Sequence, residues 1–247
     1  MKRFTNHAEN WGSLVDVKYW EENKDCSKYN NKKIFIGSVT DPYQPCELKY
    51  KRTRALLEQL LGHNVKITIC TKSDLILRDL DLIKNFPDVI VAWSINTLDE
   101  IFRRDMDHSI SIERKLSAMK AFHDAGVLTS CFIAPIFPVI TNVKEIILMV
   151  KNICNAMWLE NLNLYSNNKS KVLNYIYKKY RELYPLYYSI YIKNEHSYWK
   201  QLDTELKNFA TVENIKYTYG NVVNENFCPN NSSVIVNYFF HKKLKKH

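Results

Sequence analysis

The chain has 247 residues, 46% of them hydrophobic and 25% charged, which is the length of one domain with ample apolar content for a core. Five glycines argue against a glycine-rich nucleotide loop, and a net charge of +9 leaves room for a polyanionic partner, nucleic acid included. No run of about 18 apolar residues exists, so neither a membrane span nor a membrane partner is expected.

In chain order, short apolar runs at 34–39, 65–70, 89–95, 127–133 and 158–164 alternate with amphipathic stretches. Their β-branched content and short lengths predict strands buried on both faces. The first predicted helix carries Leu56, Leu57, Leu60 and Leu61 and ends near Gly62. A shorter one follows Ser73, with Leu80 and Ile83 inward. The third starts at Ser111 as N-cap, carries Ile112, Leu116, Met119 and Phe122, and stops at Gly126. The fourth opens on Asn142 with Glu145 in capping-box spacing, and its stripe runs through Val143, Ile146, Ile147, Val150, Ile153, Cys154 and Met157. Such alternation means parallel strands joined by right-handed crossovers, in either a barrel or a doubly wound sheet. After residue 165 the pattern changes to a tyrosine-rich helical stretch at 172–180, then Pro185, then a helix with Tyr198, Trp199, Leu202, Leu206 and Phe209 inward. A last apolar run at 234–240 reads as an additional strand. The expected division is a parallel α/β part, 1–165, and a C-terminal extension, 166–247, packed on it within the same domain.

In parallel α/β folds ligands bind beyond the C-terminal ends of the strands. Those ends carry Ser38, Thr40 and Asp41, then Thr71, Lys72, Ser73 and Asp74, then Ser94, Asn96 and Thr97, then Asn161 and Asn163. The fourth run continues as an apolar wall, Ala134 to Pro138. One rim thus gathers hydroxyls, amides, a carboxylate and a lysine beside an apolar surface, which fits a ligand with a flat ring and a zwitterionic or hydroxylated end. Several of these residues also have plain structural readings. Thr40-Asp41-Pro42 can form an ordinary turn, Ser73 can cap a helix, and Tyr43, Gln44 and Glu47 can start the next one.

The six cysteines, Cys26, Cys46, Cys70, Cys131, Cys154 and Cys228, include no C-x-x-C pair. They read as small hydrophobes, so no metal ligand is assigned to them or to the seven histidines. Neither G-x-S-x-G nor a P-loop is present. The tail HKKLKKH at 241–247 reads as a solvated end, and the N-terminus lacks the apolar segment of a signal peptide, so a cytoplasmic location is expected.

The blocks KRFTNHAENWGSLVDVK (2–18), IFIGSVTDPYQPCELKYKRTRALLEQLL (34–61), ITICTKSDLILRDLDLI (67–83), VAWSINTLDE (91–100) and IERKLSAMKAFHDAGVLTSCFIAPIFPVITN (112–142), with ENLNLYS and VNYFFHKK near the end, resemble radical SAM proteins related to spore photoproduct lyase. The resemblance runs nearly end to end, and it rests on several blocks together. It implies a partial TIM-type (βα)6 radical SAM barrel, here missing its first strand, with an α-rich C-terminal extension. It also implies S-adenosylmethionine (SAM) as cofactor and a [4Fe–4S] cluster held by a C-x-x-x-C-x-x-C loop. An external electron donor would reduce the cluster, and reductive cleavage of SAM would yield a 5′-deoxyadenosyl radical that acts on a substrate left unidentified.

By the same resemblance, Thr40 and Asp41 meet the methionine part of SAM, Lys72 and Ser94 contact its carboxylate and ribose, and the wall at 133–137 faces the adenine. Ser38 stands where spore photoproduct lyase has a hydrogen-donor cysteine, which argues against carrying over its DNA repair reaction. No cluster motif occurs in this sequence. In the relatives it lies just upstream of the segment matching 1–18, so a truncated product or a late start site is expected, and catalytic residues stay unassigned. The alternative is a cluster-less remnant that binds SAM or nucleic acid. Without the first strand, the strand at 34–39 would have an unpaired edge unless N-terminal residues cover it.

Overall fold

The computed structural model of the chain describes residues 15–17, 19, 25–106, 109–164, 166–219 and 233–237. Among them, seven strands form one parallel sheet: β1 (Lys33–Ile36), β2 (Lys66–Thr71), β3 (Val89–Ser94), β4 (Leu128–Ile136), β5 (Ala156–Asn161), β6 (Lys216–Tyr219) and β7 (Val234–Asn237). Their spatial order is β1-β2-β3-β4-β5-β7-β6, and every neighbouring pair is parallel. The helices are α1 (Glu47–Tyr50), α2 (Arg52–Leu60), α3 (Leu80–Ile83), α4 (Glu100–Met106), α5 (Ile112–Asp124), α6 (Val143–Val150), α7 (Ser166–Lys179), α8 (Tyr184–Tyr191) and α9 (Ser197–Val212). The architecture is mixed α/β, a partial TIM-type arrangement with a helix-rich C-terminal extension.

Local chemistry explains most element boundaries. The Ser111 hydroxyl accepts the Arg114 N–H at 3.4 Å to open α5, and Gly126, at φ +78°, follows its end. Asn142 and Glu145 bond reciprocally at the start of α6: Asn142 Oδ1 accepts the Glu145 N–H at 3.2 Å, and Asn142 Nδ2 donates to Glu145 Oε2 at 2.9 Å. The stripe expected to continue this helix to Met157 stops at Val150, because Met157 already belongs to β5. Helix α4 was not expected. Its cap is Asp99, whose Oδ1 accepts the Ile101 and Phe102 N–H groups at 2.7 and 3.2 Å.

The C-terminal extension does more than pack on the sheet, because it also supplies two strands. The expected strand at 234–240 is present as β7, paired with β5 from Ala156↔Val234 onward, and the unforeseen β6 pairs beyond it. Among the described residues β1 has one partner, β2, so it is an edge, and Phe35 on it is 48% exposed. Residues 2–14 of the N-terminal block, Cys228 and the tail at 241–247 lie outside the described residues. No described helix is long and apolar enough to cross a membrane.

Candidate functional site

Side chains alternate between the two faces of a strand, and the aligned register makes this alternation common to β1–β5. One face carries Ile67, Ile69 and Thr71, then Val89, Val91 and Trp93, then Thr129, Cys131 and Ile133, then Met157 and Leu159, all buried. The helices cover this face, as the Trp93 ring shows by meeting Phe122 of α5 edge-on at 5.5 Å. The opposite face is only partly covered. Thr68, Cys70, Ile90, Ser94, Phe132 and Ala134 keep intermediate exposure there. The expectation of strands buried on both faces holds throughout the helix-covered face, and on the other face at Ala92, Ser130, Ala156 and Trp158.

On this second face the register sets Cys70, Ala92, Ser130 and Ala156 side by side across four strands. Four small side chains in a row make a floor. In the next row Ser94, Phe132 and Trp158 align, and the two rings lie 6.0 Å apart with planes 11° from parallel. The Ser130 hydroxyl is fully buried and has no hydrogen-bond partner among the described residues, a state that costs about 1–3 kcal/mol.

The strand ends above this floor are tied together by Asp41. Its Oδ1 accepts the Tyr43 N–H at 2.9 Å and the Thr71 hydroxyl at 2.7 Å, and its Oδ2 accepts the Lys72 N–H at 2.6 Å. Asp41 thus fastens the loop after β1 to the end of β2 and sets the backbone from which Lys72 extends. Thr40 lies exposed beside it. The Ser94 hydroxyl donates to the Ala134 carbonyl at 3.2 Å, joining the ends of β3 and β4. Gly37 makes the β1 turn fit: at φ +102°, its missing Cβ would lie 2.2 Å from the Cys70 carbonyl oxygen.

The wall expected at 133–137 is oriented differently. Ile133, Ile136 and Phe137 are buried, with Phe137 edge-on to Phe102 of α4 at 5.0 Å. The members of that run with intermediate exposure are Ala134 and Pro135, next to Phe132. Ser73 does not stand at the helix cap: its hydroxyl accepts the Leu75 N–H at 3.1 Å, while Asp74, the N-cap of the 3-10 turn Leu75–Asp79, is paired with Arg114 at 2.7 Å.

A buried charge network underlies the rim. Glu47 accepts the N–H groups of Arg52 and Thr53 at 2.8 and 3.0 Å and so caps the start of α2. Arg78 bridges Glu47 at 3.0 Å and Asp79 at 2.8 Å, and Arg54 reaches Asp79 at 3.0 Å. The Tyr43 hydroxyl donates to Asp79 at 3.1 Å, and the Thr53 hydroxyl donates to the Pro42 carbonyl at 2.6 Å. Burial works against the Asp79 charge, but the two guanidinium groups outweigh it and hold the carboxyl below its ordinary 3.8. Burial of Tyr43 and the neighbouring Asp79 charge push the phenol upward.

Cys70 is the thiol in the row of small residues under the rim. Burial and the Asp41 carboxylate push it up to about 11 against the pull of Lys72. Cys131 is pushed up by burial, and burial lifts Cys154 to about 12, as suits buried small hydrophobes. Among the described residues no group of three His, Cys, Asp or Glu could hold a metal ion, so they do not fit a three-thiolate cluster. They fit SAM better. The rim supplies a cation and hydroxyls, the face below it an aromatic pair, and Ser130 a buried hydroxyl without a partner among the described residues. Thr40, Asp41, Lys72 and Ser94 were expected at the rim from sequence, whereas Cys70, Ser130, Phe132 and Trp158 were read as core. Small residues at alternate strand positions, Ala92, Ser130 and Ala156, were the available signal.

Residues 11–153 match the model of the Radical SAM superfamily. The chain is 33% identical over 204 residues to an uncharacterized protein of Methanocaldococcus jannaschii, covering 82% of this chain and 75% of that one. Among solved structures, spore photoproduct lyase complexed with dinucleoside spore photoproduct shares 15% identity at a TM-score of 0.46, over 62% of this chain and 48% of that one. Streptococcus suis SuiB bound to S-adenosylmethionine shares 14% identity at a TM-score of 0.41, over 53% and 35%. The chain thus spans less than half the length of either solved protein. Its own family is settled by the match to residues 11–153: the chain belongs to the Radical SAM superfamily.

Proposed function

We propose that this chain binds S-adenosylmethionine over the half-open face of the sheet, at the C-terminal ends of β1–β4. Lys72 takes the carboxylate through a charge-assisted hydrogen bond. Thr40 and Ser94 offer hydroxyls to the amino-acid and ribose ends, and Phe132, backed by the buried Trp158 ring, supplies a flat apolar surface for the base. Asp41 acts through its neighbours, holding Thr71 and Lys72 in place. The observation that carries the reading is this Asp41 staple between the β1 loop and β2, in a chain of the Radical SAM superfamily.

Reductive cleavage of SAM to a 5′-deoxyadenosyl radical is the activity we assign to the whole protein. It needs a cluster that the described residues do not ligate, so no step of it is assigned to them. Titration calorimetry tests the binding. The protein should release heat with SAM, and Lys72→Ala should weaken the affinity by about tenfold or more, the worth of a hydrogen bond to a charged group. Ser94→Ala should cost less. Equal affinity in the protein and both variants, at unchanged melting temperature, would overturn the site.

A further inference from the structure

Outside the residues that match the family, helices α7 and α8 carry a surface with its own chemistry. Tyr177 is 45% exposed and Tyr188 41%, and Tyr184 lies between them. The Tyr177 and Tyr184 rings are 5.2 Å apart at 77°, and the Tyr184 and Tyr188 rings are 6.2 Å apart at 46°. The Arg181 guanidinium lies 5.2 Å from the centre of the Tyr177 ring. Lys171, Lys178, Lys179, Arg181 and Lys193, on the same two helices or at their ends, are all exposed. The acidic residues of the stretch 166–196 are Glu182, also exposed, and Glu195, which accepts the Ser189 hydroxyl.

We propose that this tyrosine–lysine surface on α7 and α8 binds single-stranded nucleic acid. Phosphates are neutralised by the lysines and Arg181, while unpaired bases stack on the exposed faces of Tyr177 and Tyr188. Aromatic faces interleaved with cations suit a strand whose bases are free to splay, because a duplex hides its base faces within the stack. An anionic membrane suits the surface less well. Of the exposed large hydrophobic residues here, two are tyrosines and Ile192 is the only aliphatic one, whereas α8 turns Tyr187, Ile190 and Tyr191 inward. A helix that lies in a lipid interface needs a broad apolar face outward.

Fluorescence anisotropy with labelled oligonucleotides of about 15 nucleotides, DNA and RNA, single-stranded and duplex, tests this. Single strands should bind, with the double variant Tyr177→Ala/Tyr188→Ala about tenfold weaker or more and Tyr177→Phe/Tyr188→Phe close to the parent. The triple variant Lys178→Gln/Lys179→Gln/Arg181→Gln should lower the slope of log affinity against log salt by about two. Both tyrosines are partly exposed and pack on Tyr184, so the Tyr→Ala variant should melt slightly lower and the Tyr→Phe variant like the parent, and the response to SAM should be the same in every variant. Equal binding by the Tyr→Ala variant, or duplex bound as tightly as single strands, would overturn the proposal. Capture by phosphatidylserine vesicles without oligonucleotide binding would overturn it too and assign the surface to lipid.

Discussion

At the β1–β2 end of the sheet the loops are held by charge, through Glu47, Arg78, Asp79 and Arg54 around a buried tyrosine hydroxyl. At the β4–β5 end the corresponding loops are held by phenols. Tyr187 donates to the Pro138 carbonyl at 3.1 Å, Tyr191 donates to the Leu162 carbonyl at 3.0 Å, and the Tyr198 oxygen accepts the Val139 N–H at 2.8 Å. Both solutions satisfy backbone groups in loops that run over strand ends. They differ in what can disturb them. A carboxylate network weakens when its acid takes a proton, whereas burial pushes the Tyr187 and Tyr191 phenols upward, so they stay neutral donors through the acid and neutral range. Acid should therefore loosen the candidate SAM rim before it loosens the opposite end.

The sharpest way to break this contrast is Asp79→Asn, which leaves two guanidinium groups facing a neutral amide. It should cost about 3–5 kcal/mol at neutral pH, measured by urea unfolding. The Asp79 carboxyl lies below its ordinary 3.8 in the folded protein, so its stabilisation is fully present above that value. That stabilisation is lost as pH falls through the lower folded value. The gap between parent and Asp79→Asn should accordingly close in acid, and a gap independent of pH would show that the charge is not what holds the rim. Next in size, Gly37→Ala forces a Cβ onto the Cys70 carbonyl and should cost about 3 kcal/mol. It should also weaken SAM binding, because the β1 loop must move. Smallest is Tyr187→Phe, which leaves the Pro138 carbonyl without its donor and should cost about 1 kcal/mol by the same urea measurement, equally at acid and neutral pH.

The β-branched runs and the caps at Ser111, Asn142 and Gly126 made the parallel sheet and two of its helices legible in the sequence. The boundary between α6 and β5 was not, because Ile153, Cys154 and Met157 continue a helical spacing while the chain has left the helix and, by Met157, entered β5. Helix α4 was hidden for another reason: its apolar content is limited to Ile101, Phe102 and Met106, and the Asp99 cap was the only clear signal. At the candidate site, Thr40, Asp41, Lys72 and Ser94 were visible as polar residues at strand ends. That Asp41 bonds to Thr71 and Lys72, 30 and 31 residues away, depends on two strands lying in register, which spacing along one chain cannot reveal. The buried network had the same obstacle. Glu47, Arg78 and Asp79 look like surface charges until the loops between them are folded over one another.

Cys70 belongs to the row of small residues under the rim, and its position has a kinetic consequence. With its thiol pushed up by burial and by the Asp41 carboxylate, little of it is thiolate at neutral pH. Alkylating reagents and peroxide meet that residue slowly, and the rate rises with pH along with the thiolate fraction. A group that occupies the half-open face, or one that pulls Asp41 away from β2, changes that rate directly.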